Sequence, residues 1–302
     1  QSNGTLWIYG MGLLAYYNDI QKKFVVVLSE PTRPNGIDYD YISHLYEDLE
    51  KNVWVSTNKG LYRFNTEAQL FTSIINKRPG DTTIIPHSTS GIIQTKNSGI
   101  WVGTWGSGVF SYNDQLQPIP NPVTMAEPRN RRIHASSLAE RKNGEIWVGT
   151  HTGVLKIYDP VAGQYYSVEP PQLKGLIISQ LREDDAGNMW VGTTSGVLVK
   201  CEKGNWRDTS NAYRVVRSDG GDILKFYVDN NHHLWVCTAS SGLYEIDAET
   251  NKILREFHDN TDNNEGLLSD GATDIIQYND SLFVIASGGI CILNNKANKF
   301  RY

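Results

Sequence analysis

The sequence predicts an all-β fold, a seven-bladed β-propeller of four-stranded antiparallel blades. A tetrapeptide, Trp-Val-small-Thr, recurs at spacings of 47, 47, 46, 43, 45 and 48 residues, and short apolar runs alternate with turn residues between its copies. A period of this length holds four short strands and marks a repeat architecture. Complete copies begin at Trp54, Trp101, Trp147, Trp190 and Trp235, and degenerate copies begin at Trp7 and Phe283.

The repeat runs through the whole chain without a linker or a change in composition, so residues 1–302 are predicted to form a single domain. The net charge of −5 gives no basis for nucleic-acid binding through this domain or for a polybasic membrane surface. The longest apolar run, Phe24 to Leu28, has the length of a strand rather than that of a membrane span.

Both ends of the chain fall inside a repeat. Residues 2–5 correspond to the first hairpin turn of the later copies, so the first blade is predicted to lack its inner strand. At the other end, Lys299 to Tyr302 corresponds to the start of a fourth strand. Together with Gln1 in place of an initiator Met, this indicates a fragment of a larger protein.

The repeated residues have mechanical roles in this interpretation. Each signature Trp is predicted to be buried between neighbouring blades, and the small residue two positions later leaves room for side chains of the adjacent sheet. A glycine after each signature closes the second hairpin. The alternative, in which the tryptophans form an exposed stacking platform for sugars or bases, is the weaker interpretation.

The segments from Asp185 to Val197, Asn143 to Val154 and Asn52 to Leu61 follow the pattern Asp/Asn-x-Gly-x-x-Trp-Val-Gly-Thr-x-x-Gly-Leu/Val. This pattern resembles the two-component regulator propeller repeat of bacterial sensors, especially hybrid histidine kinases that control polysaccharide-degradation genes. The resemblance covers the whole chain and is weakest in the first and last copies. It is specific for the repeat type and carries little information about a ligand.

The resemblance implies a non-catalytic, periplasmic sensor propeller of an inner-membrane protein, one that responds to glycan fragments. It further implies a second propeller and a β-sandwich in the same parent, a homodimeric parent, and kinase and DNA-binding domains outside these residues.

Two other classes remain open at this stage. The first is a propeller enzyme of lyase or glycosidase type. Streptogramin-lyase-like propellers share Trp-Val-Gly blades and need a His with an acidic partner at the central funnel. The sialidase Asp-box needs a hydroxyl residue where Glu183 stands. Both families fit the sequence less well than the two-component regulator propeller. The second is a scaffold that contacts only protein.

No nucleophile elbow, phosphate-binding loop or zinc signature is present, so no catalytic residue, cofactor or metal is predicted. Cys201, Cys237 and Cys291 lack metal-type spacing and are predicted to be buried thiols. The pairs His232-His233 and Asp184-Asp185 are interpreted as turn residues.

The candidate ligand site lies in turns and in connections between blades, on the face that usually binds ligands in propellers. Two connections stand out: Pro118 to His134 holds three arginines, and Trp206 to Asp222 holds arginines together with aromatic residues. Arg side chains and aromatic planes suit an anionic sugar, although ordinary solvated loops are an alternative interpretation. The predicted residues are Trp105, Arg129, Arg131, Arg132, His134, His151, Trp206, Arg207 and Arg214.

Overall fold

A computed structural model describes residues 1–2, 4–65, 70–74, 88–96, 99–113, 115–125, 133–260 and 264–302. The fold is all-β, a seven-bladed propeller of antiparallel sheets, as predicted. Among these residues, six sheets have four strands, and the first has three, with no inner strand. The chain divides into two compact units. The first unit contains residues 1–140, 144–148 and 157–165, and the second contains residues 141–143, 149–156 and 166–302.

The first unit contains the first three blades. Blade 1 is β1 (Trp7–Gly10), β2 (Leu13–Asn18) and β3 (Lys23–Val26); blade 2 is β4 (Ile42–Glu47), β5 (Val53–Thr57), β6 (Leu61–Asn65) and β7 (Leu70–Ile74); blade 3 is β8 (Thr89–Thr95), β9 (Gly99–Thr104), β10 (Gly108–Tyr112) and β11 (Pro118–Ile119). A short helix, α1 (Pro122–Met125), follows.

The strands of blade 4 contribute residues to both units. They are β12 (Ala135–Glu140), β13 (Ile146–Thr150), β14 (Leu155–Asp159) and β15 (Gln164–Val168), followed by a 3-10 turn at Pro171–Leu173.

The second unit contains the last three blades. Blade 5 is β16 (Ile178–Glu183), β17 (Met189–Thr193), β18 (Leu198–Cys201) and β19 (Tyr213–Arg217); blade 6 is β20 (Ile223–Val228), β21 (His233–Thr238), β22 (Leu243–Asp247) and β23 (Ile253–Phe257); blade 7 is β24 (Asp274–Asn279), β25 (Leu282–Ala286), β26 (Ile290–Asn294) and β27 (Lys299–Arg301).

The five signature tryptophans are buried, with at most 1% of each side chain exposed, which confirms that they are core residues. Trp54 of blade 2 packs against Ile92 and Val102 of blade 3, and Trp190 of blade 5 packs against Phe226 of blade 6. The Trp54 and Trp190 rings therefore fill the space between their own sheet and the next one.

Three of these tryptophans donate the indole N–H to a buried aspartate six residues earlier, at 2.8–2.9 Å. The same carboxylate accepts a backbone N–H from the residue that closes the first hairpin, at 2.7–2.9 Å. One side chain thus satisfies both the core ring and the turn. The sets are Asp48 with Trp54 and Asn52, Asp184 with Trp190 and Asn188, and Asp229 with Trp235 and His233.

The other three signature positions also have defined contacts. A Cβ atom on Gly192 would lie 2.7 Å from Ile223 Cγ2 and 2.8 Å from Phe226 Cζ of the next blade, so only glycine fits there. The threonine donates its hydroxyl to a carbonyl at the end of the second hairpin turn, at 2.8–3.1 Å. The valine side chains of the signature are buried. The tetrapeptide therefore encodes the blade contact and the hairpin together.

A second repeated contact joins neighbouring blades at the end of the sheets that carries the first hairpin. One of the last three residues of an inner strand is Glu or Gln, and its side chain accepts a backbone N–H from the first hairpin of the preceding blade. We call these side chains the junction acceptors. They are Glu47 for Ser2, Gln94 for Leu49, Glu140 for Lys96, Glu183 for Lys142 and Gln277 for Asn230.

Blade 6 has Val228 at this position, and a different contact joins it to blade 5. His232 Nδ1 lies 2.6 Å from Asp185 Oδ2, and Lys142 of blade 4 lies 3.0 Å from Asp185 Oδ1. The hydrogen bond to His232, together with Lys142, lowers the pKa of Asp185 below its usual value. The sequence interpretation of Asp184-Asp185 as turn residues missed both partners.

The junction acceptor Glu183 is also part of a buried ion pair. Its Oε1 lies 3.1 Å from Arg141 Nε, and the two side chains are 8% and 6% exposed. Arg141 donates in addition to the Gly187 carbonyl at 2.7 Å. Charges this deep in a protein are tolerated only when they are paired.

We expect Trp190→Phe to cost about 1.5–3 kcal/mol more stability than Trp101→Phe. Both changes remove a similar ring volume, but only Trp190 donates to a buried carboxylate, whereas Trp101 Nε1 has no hydrogen-bond partner among the described residues. Urea unfolding of both variants measures the difference, and equal losses would show that the indole–aspartate bond adds nothing.

We expect Glu183→Ala to destabilise the protein by about 3–5 kcal/mol, because the change leaves the Arg141 guanidinium buried without its counter-ion. Gln277→Ala is the matched control, since it removes a neutral, half-buried junction acceptor and should cost no more than about 1 kcal/mol. Thermal and chemical denaturation report both values, and similar losses for the two variants would contradict the ion-pair argument.

Candidate functional site

Within a blade, the turn between the second and third strands lies at the same end of the sheet as the connection to the next blade. In the first unit this end carries a row of polar and aromatic side chains, which we call the unit-1 rim. It consists of Asp40, Asn58, Lys59, Ser88, Trp105 and His134.

The blade 2 part of the unit-1 rim is a hydrogen-bonded charge pair. Lys59 Nζ lies 2.8 Å from Asp40 Oδ2, and Asn58 donates to the same oxygen at 2.7 Å. Hydrogen bonding to Lys59 lowers the pKa of Asp40, and the same contact raises the pKa of Lys59. Both groups are therefore charged at neutral pH, and both are exposed.

The blade 3 part of the unit-1 rim presents aromatic surface. Trp105 is 46% exposed and lies in the turn after the signature threonine, where its backbone N–H donates to the Ser88 carbonyl at 3.0 Å. The His134 ring stands edge-on to the indole, with 6.0 Å between centroids and 80° between planes. Ser88 Oγ donates to the Asn58 carbonyl at 3.2 Å, which links this part of the rim to blade 2.

The rim thus places an exposed indole and an imidazole beside an ammonium, a carboxylate and an amide. An indole face stacks on the apolar face of a sugar ring, and the polar groups suit the hydroxyls at its edge. Trp105 and His134, both predicted from the sequence, are brought together here.

Three of the predicted site residues, Arg129, Arg131 and Arg132, lie outside the described residues. Their role in anion binding stays a prediction.

The predicted location of Trp206, Arg207 and Arg214 is wrong. The segment from Trp206 to Asp222 is not one connection between blades, because strand β19 occupies 213–217 and only 218–222 leads to blade 6. Residues 202–212 join β18 to β19 inside blade 5, at the end of the sheet opposite the turn at 194–197. Lys203 N donates to Asn188 Oδ1 of the first hairpin at 3.1 Å, which fixes this placement.

Trp206 itself is a core residue, 3% exposed. The Arg207 guanidinium lies 4.0 Å from the Trp206 ring centroid and 4.5 Å from that of Tyr166, while Tyr166 meets Trp206 edge-on. Arg207 therefore covers the ring instead of leaving it open for a ligand. Arg214 is exposed on the outer strand of the blade, paired in register with Lys200.

The second unit has its own polar groups at the turn end of its blades. His151 is half-buried in the second hairpin of blade 4. In blades 5 and 6, Arg217 donates to Tyr244 Oη at 2.6 Å and lies 3.8 Å from that ring centroid. His258 Nδ1 lies 3.3 Å from Asp270 Oδ1. Sequence reasoning missed the Tyr244 and Asp270 contacts because they join residues from different strands and connections.

Asp229, His233 and Glu245 bring three ligand-type atoms within 4.8 Å of one another, the spacing of a metal site. Their hydrogen bonds point to a structural role. Asp229 holds the Trp235 indole, and His233 Nδ1 lies 2.7 Å from Glu245 Oε1. Glu245 also accepts a short hydrogen bond from Arg255, whose positive charge opposes a bound cation. His232 is exposed, as expected of a turn residue.

The three cysteines are buried free thiols, as predicted. Burial raises the pKa of Cys237 well above its usual value, so this thiol stays protonated and unreactive.

In the described part of the chain, none of the helices is long and apolar enough to span a membrane.

Comparison with known proteins gives the family that the repeat matches. Residues 172–195 match the family model described as Two component regulator propeller. The matched segment runs from the 3-10 turn through the first two strands of blade 5 and the signature Trp190 to Thr193. A region of 90 residues, 29% of this chain, is 28% identical to Histidine kinase P4 of Formosa agariphila. The chain spans only 7% of the length of that protein.

Among solved structures, the extracellular domain of a protein assigned to a hybrid two component system of B. thetaiotaomicron is similar to 97% of this chain, with a TM-score of 0.74 and 21% identity. This chain spans 39% of that domain. Virginiamycin B lyase from Staphylococcus aureus is similar to 95% of this chain over 89% of its own length, with a TM-score of 0.67 and 12% identity. At these identities the structures share the fold. The family model confirms the predicted resemblance for residues 172–195: this chain is a seven-bladed propeller that carries the two component regulator propeller repeat in blade 5.

Proposed function

We propose that this chain is the non-catalytic sensor propeller of a two-component signalling protein. The observation that carries the proposal is the match of blade 5 to the two component regulator propeller model. The similarity to a histidine kinase and to the extracellular domain of a two component system supports it. Residues 1–302 then form one propeller domain of a longer inner-membrane protein, exposed to the periplasm.

The ligand in this proposal is an oligosaccharide fragment, bound at the unit-1 rim. Trp105 supplies an exposed stacking surface, and Asn58 with the Asp40–Lys59 pair supplies hydrogen bonds and charge beside it. Signalling then follows from altered packing between two copies of the parent, together with its second propeller and β-sandwich. The kinase chemistry lies outside these residues.

We expect Trp105→Ala to weaken oligosaccharide binding about tenfold, because burial of one aromatic face contributes roughly 1.5 kcal/mol or more. Titration calorimetry against neutral and acidic oligosaccharides measures the change. Tyr278→Ala is the control, since Tyr278 is an exposed aromatic residue, 76% accessible, on β24 of the other unit. Binding that both variants leave unchanged would remove the unit-1 rim from the proposal.

The same mixtures, analysed by mass spectrometry, separate sensing from catalysis. The sensor proposal expects binding without new products. Saturable turnover of a glycan or a lactone would instead support a propeller enzyme of lyase or glycosidase type. A protein that neither binds nor turns over any oligosaccharide would favour a scaffold that contacts only protein.

A further inference from the structure

A cavity of about 360 Å³ lies in the first unit. One wall is the connection from β3 to β4, and the other is formed by β6 and β7, the two outermost strands of blade 2. The residues that line it are separate from those of the unit-1 rim. Since a water molecule occupies about 30 Å³ of the liquid, this space suits a ligand of roughly a dozen non-hydrogen atoms.

The connection that forms the first wall has a fixed backbone. Glu30 N donates to the Ile37 carbonyl at 2.8 Å, which closes the connection on itself. A Cβ atom on Gly36 would lie 2.4 Å from the Glu30 carbonyl oxygen, so only glycine fits at this point. Phe71 N of β7 donates to the Asn35 carbonyl at 3.2 Å, which ties the connection to the second wall. The cavity is therefore formed before any ligand enters it.

The second wall combines apolar and polar surface. Tyr62 pairs in register with Ser73, so both side chains lie on the same face of blade 2 as that of Phe71. The Tyr62 and Phe71 rings are buried, whereas Ser73 is exposed. On the first wall, Asn35 is exposed as well. The cavity thus offers apolar ring surface together with a hydroxyl and a carboxamide, both of which donate and accept hydrogen bonds.

Two charged side chains line the cavity, Arg33 and Asp38. Arg33 Nη1 lies 2.7 Å from Glu30 Oε2, so the charge of the guanidinium is compensated. Asp38 is half-buried, and its Oδ1 accepts a hydrogen bond from Ser29 Oγ at 3.4 Å. Its carbonyl accepts one from Thr57 Oγ1 at 3.1 Å, which holds the residue in place. Asp38 forms no ion pair with any residue that the structure describes, so the cavity carries one uncompensated negative charge.

We propose that this cavity binds a small primary amine that also carries hydroxyl groups. The ammonium group of the ligand pairs with Asp38. Its hydroxyl groups bond to Ser73 and Asn35, and its carbon skeleton packs against the two buried rings. An ammonium group has three donors and no acceptor, which matches a single carboxylate, and hydrogen bonds between charged groups are about twice as strong as neutral ones. A neutral ligand of the same size leaves the carboxylate without a counter-ion, and an anion is repelled by it.

Three probes with the same ring separate charge from shape: D-glucosamine, D-glucose and N-acetyl-D-glucosamine. Titration calorimetry with the 302-residue chain at neutral pH should show saturable binding of glucosamine. The other two probes should bind at least about tenfold more weakly, because neither carries an ammonium group. Hydrogen exchange locates the site, since bound glucosamine should slow exchange of the Phe71 amide, which closes the cavity against Asn35.

A matched pair of variants tests the role of the carboxylate. Asp38→Asn removes the charge but keeps an oxygen that accepts from Ser29, so the protein should fold and bind glucosamine at least about tenfold more weakly. Asp19→Asn also removes an exposed carboxylate of the first unit, one that lies outside the cavity, and should leave glucosamine binding unchanged.

Ser73→Phe tests the cavity without changing its charge. The added ring on the exposed outer strand should fill the space and abolish glucosamine binding, while the strand itself tolerates the change. Circular dichroism and thermal denaturation confirm that each variant is folded.

The inference is overturned if glucosamine does not bind, if it binds no more tightly than glucose, or if Asp38→Asn leaves its affinity unchanged. The inference does not depend on the proposed sensing role. These measurements use no oligosaccharide and change no residue of the unit-1 rim, so failure of the sensing proposal leaves their outcome unaffected.

Discussion

The whole arrangement depends on the signature tryptophan wedged between one sheet and the next. A large flat ring excludes water from the contact, and its single polar atom must find an acceptor once it is buried. Asp184 supplies that acceptor for Trp190 and holds the neighbouring hairpin with the same carboxylate. Packing between blades and the shape of the turn within a blade are thus parts of one interaction, which explains why they recur together.

The junction acceptors connect neighbouring blades by a different kind of contact from that of the signature tryptophans. They join neighbouring blades through backbone N–H groups, so the donor residue can vary while the contact persists, as Leu49 and Lys96 show. Blade 6 has Val228 in place of the acceptor, and a contact between two side chains, His232 and Asp185, joins the blades there instead. The junction between blades 5 and 6 therefore differs in chemistry from the others that the structure describes.

The sequence predicted the fold and the burial of the tryptophans because a fixed spacing and a repeated tetrapeptide are local signals. It placed Trp206 and Arg207 wrongly because the turn before β19 is long and polar, and only the packing of Trp206 against Tyr166 shows that the blade continues beyond it. The aspartates that accept the indole N–H groups stand in the sequence six positions before Trp54, Trp190 and Trp235. Their contacts were not predicted, because an aspartate beside a turn has a sufficient local explanation.

The threonine that closes each second hairpin has a consequence for how such a domain changes over time. The Thr104 hydroxyl donates a hydrogen bond to the backbone carbonyl of Gly108. This contact does not depend on the side chains between the two residues. Asn58, Trp105, His151, Thr194 and Ala239 occupy the same position in successive blades and have little in common chemically. Mutations can therefore change the side chains at this end of the blades one turn at a time, while the strands and their hairpin contacts keep the fold stable.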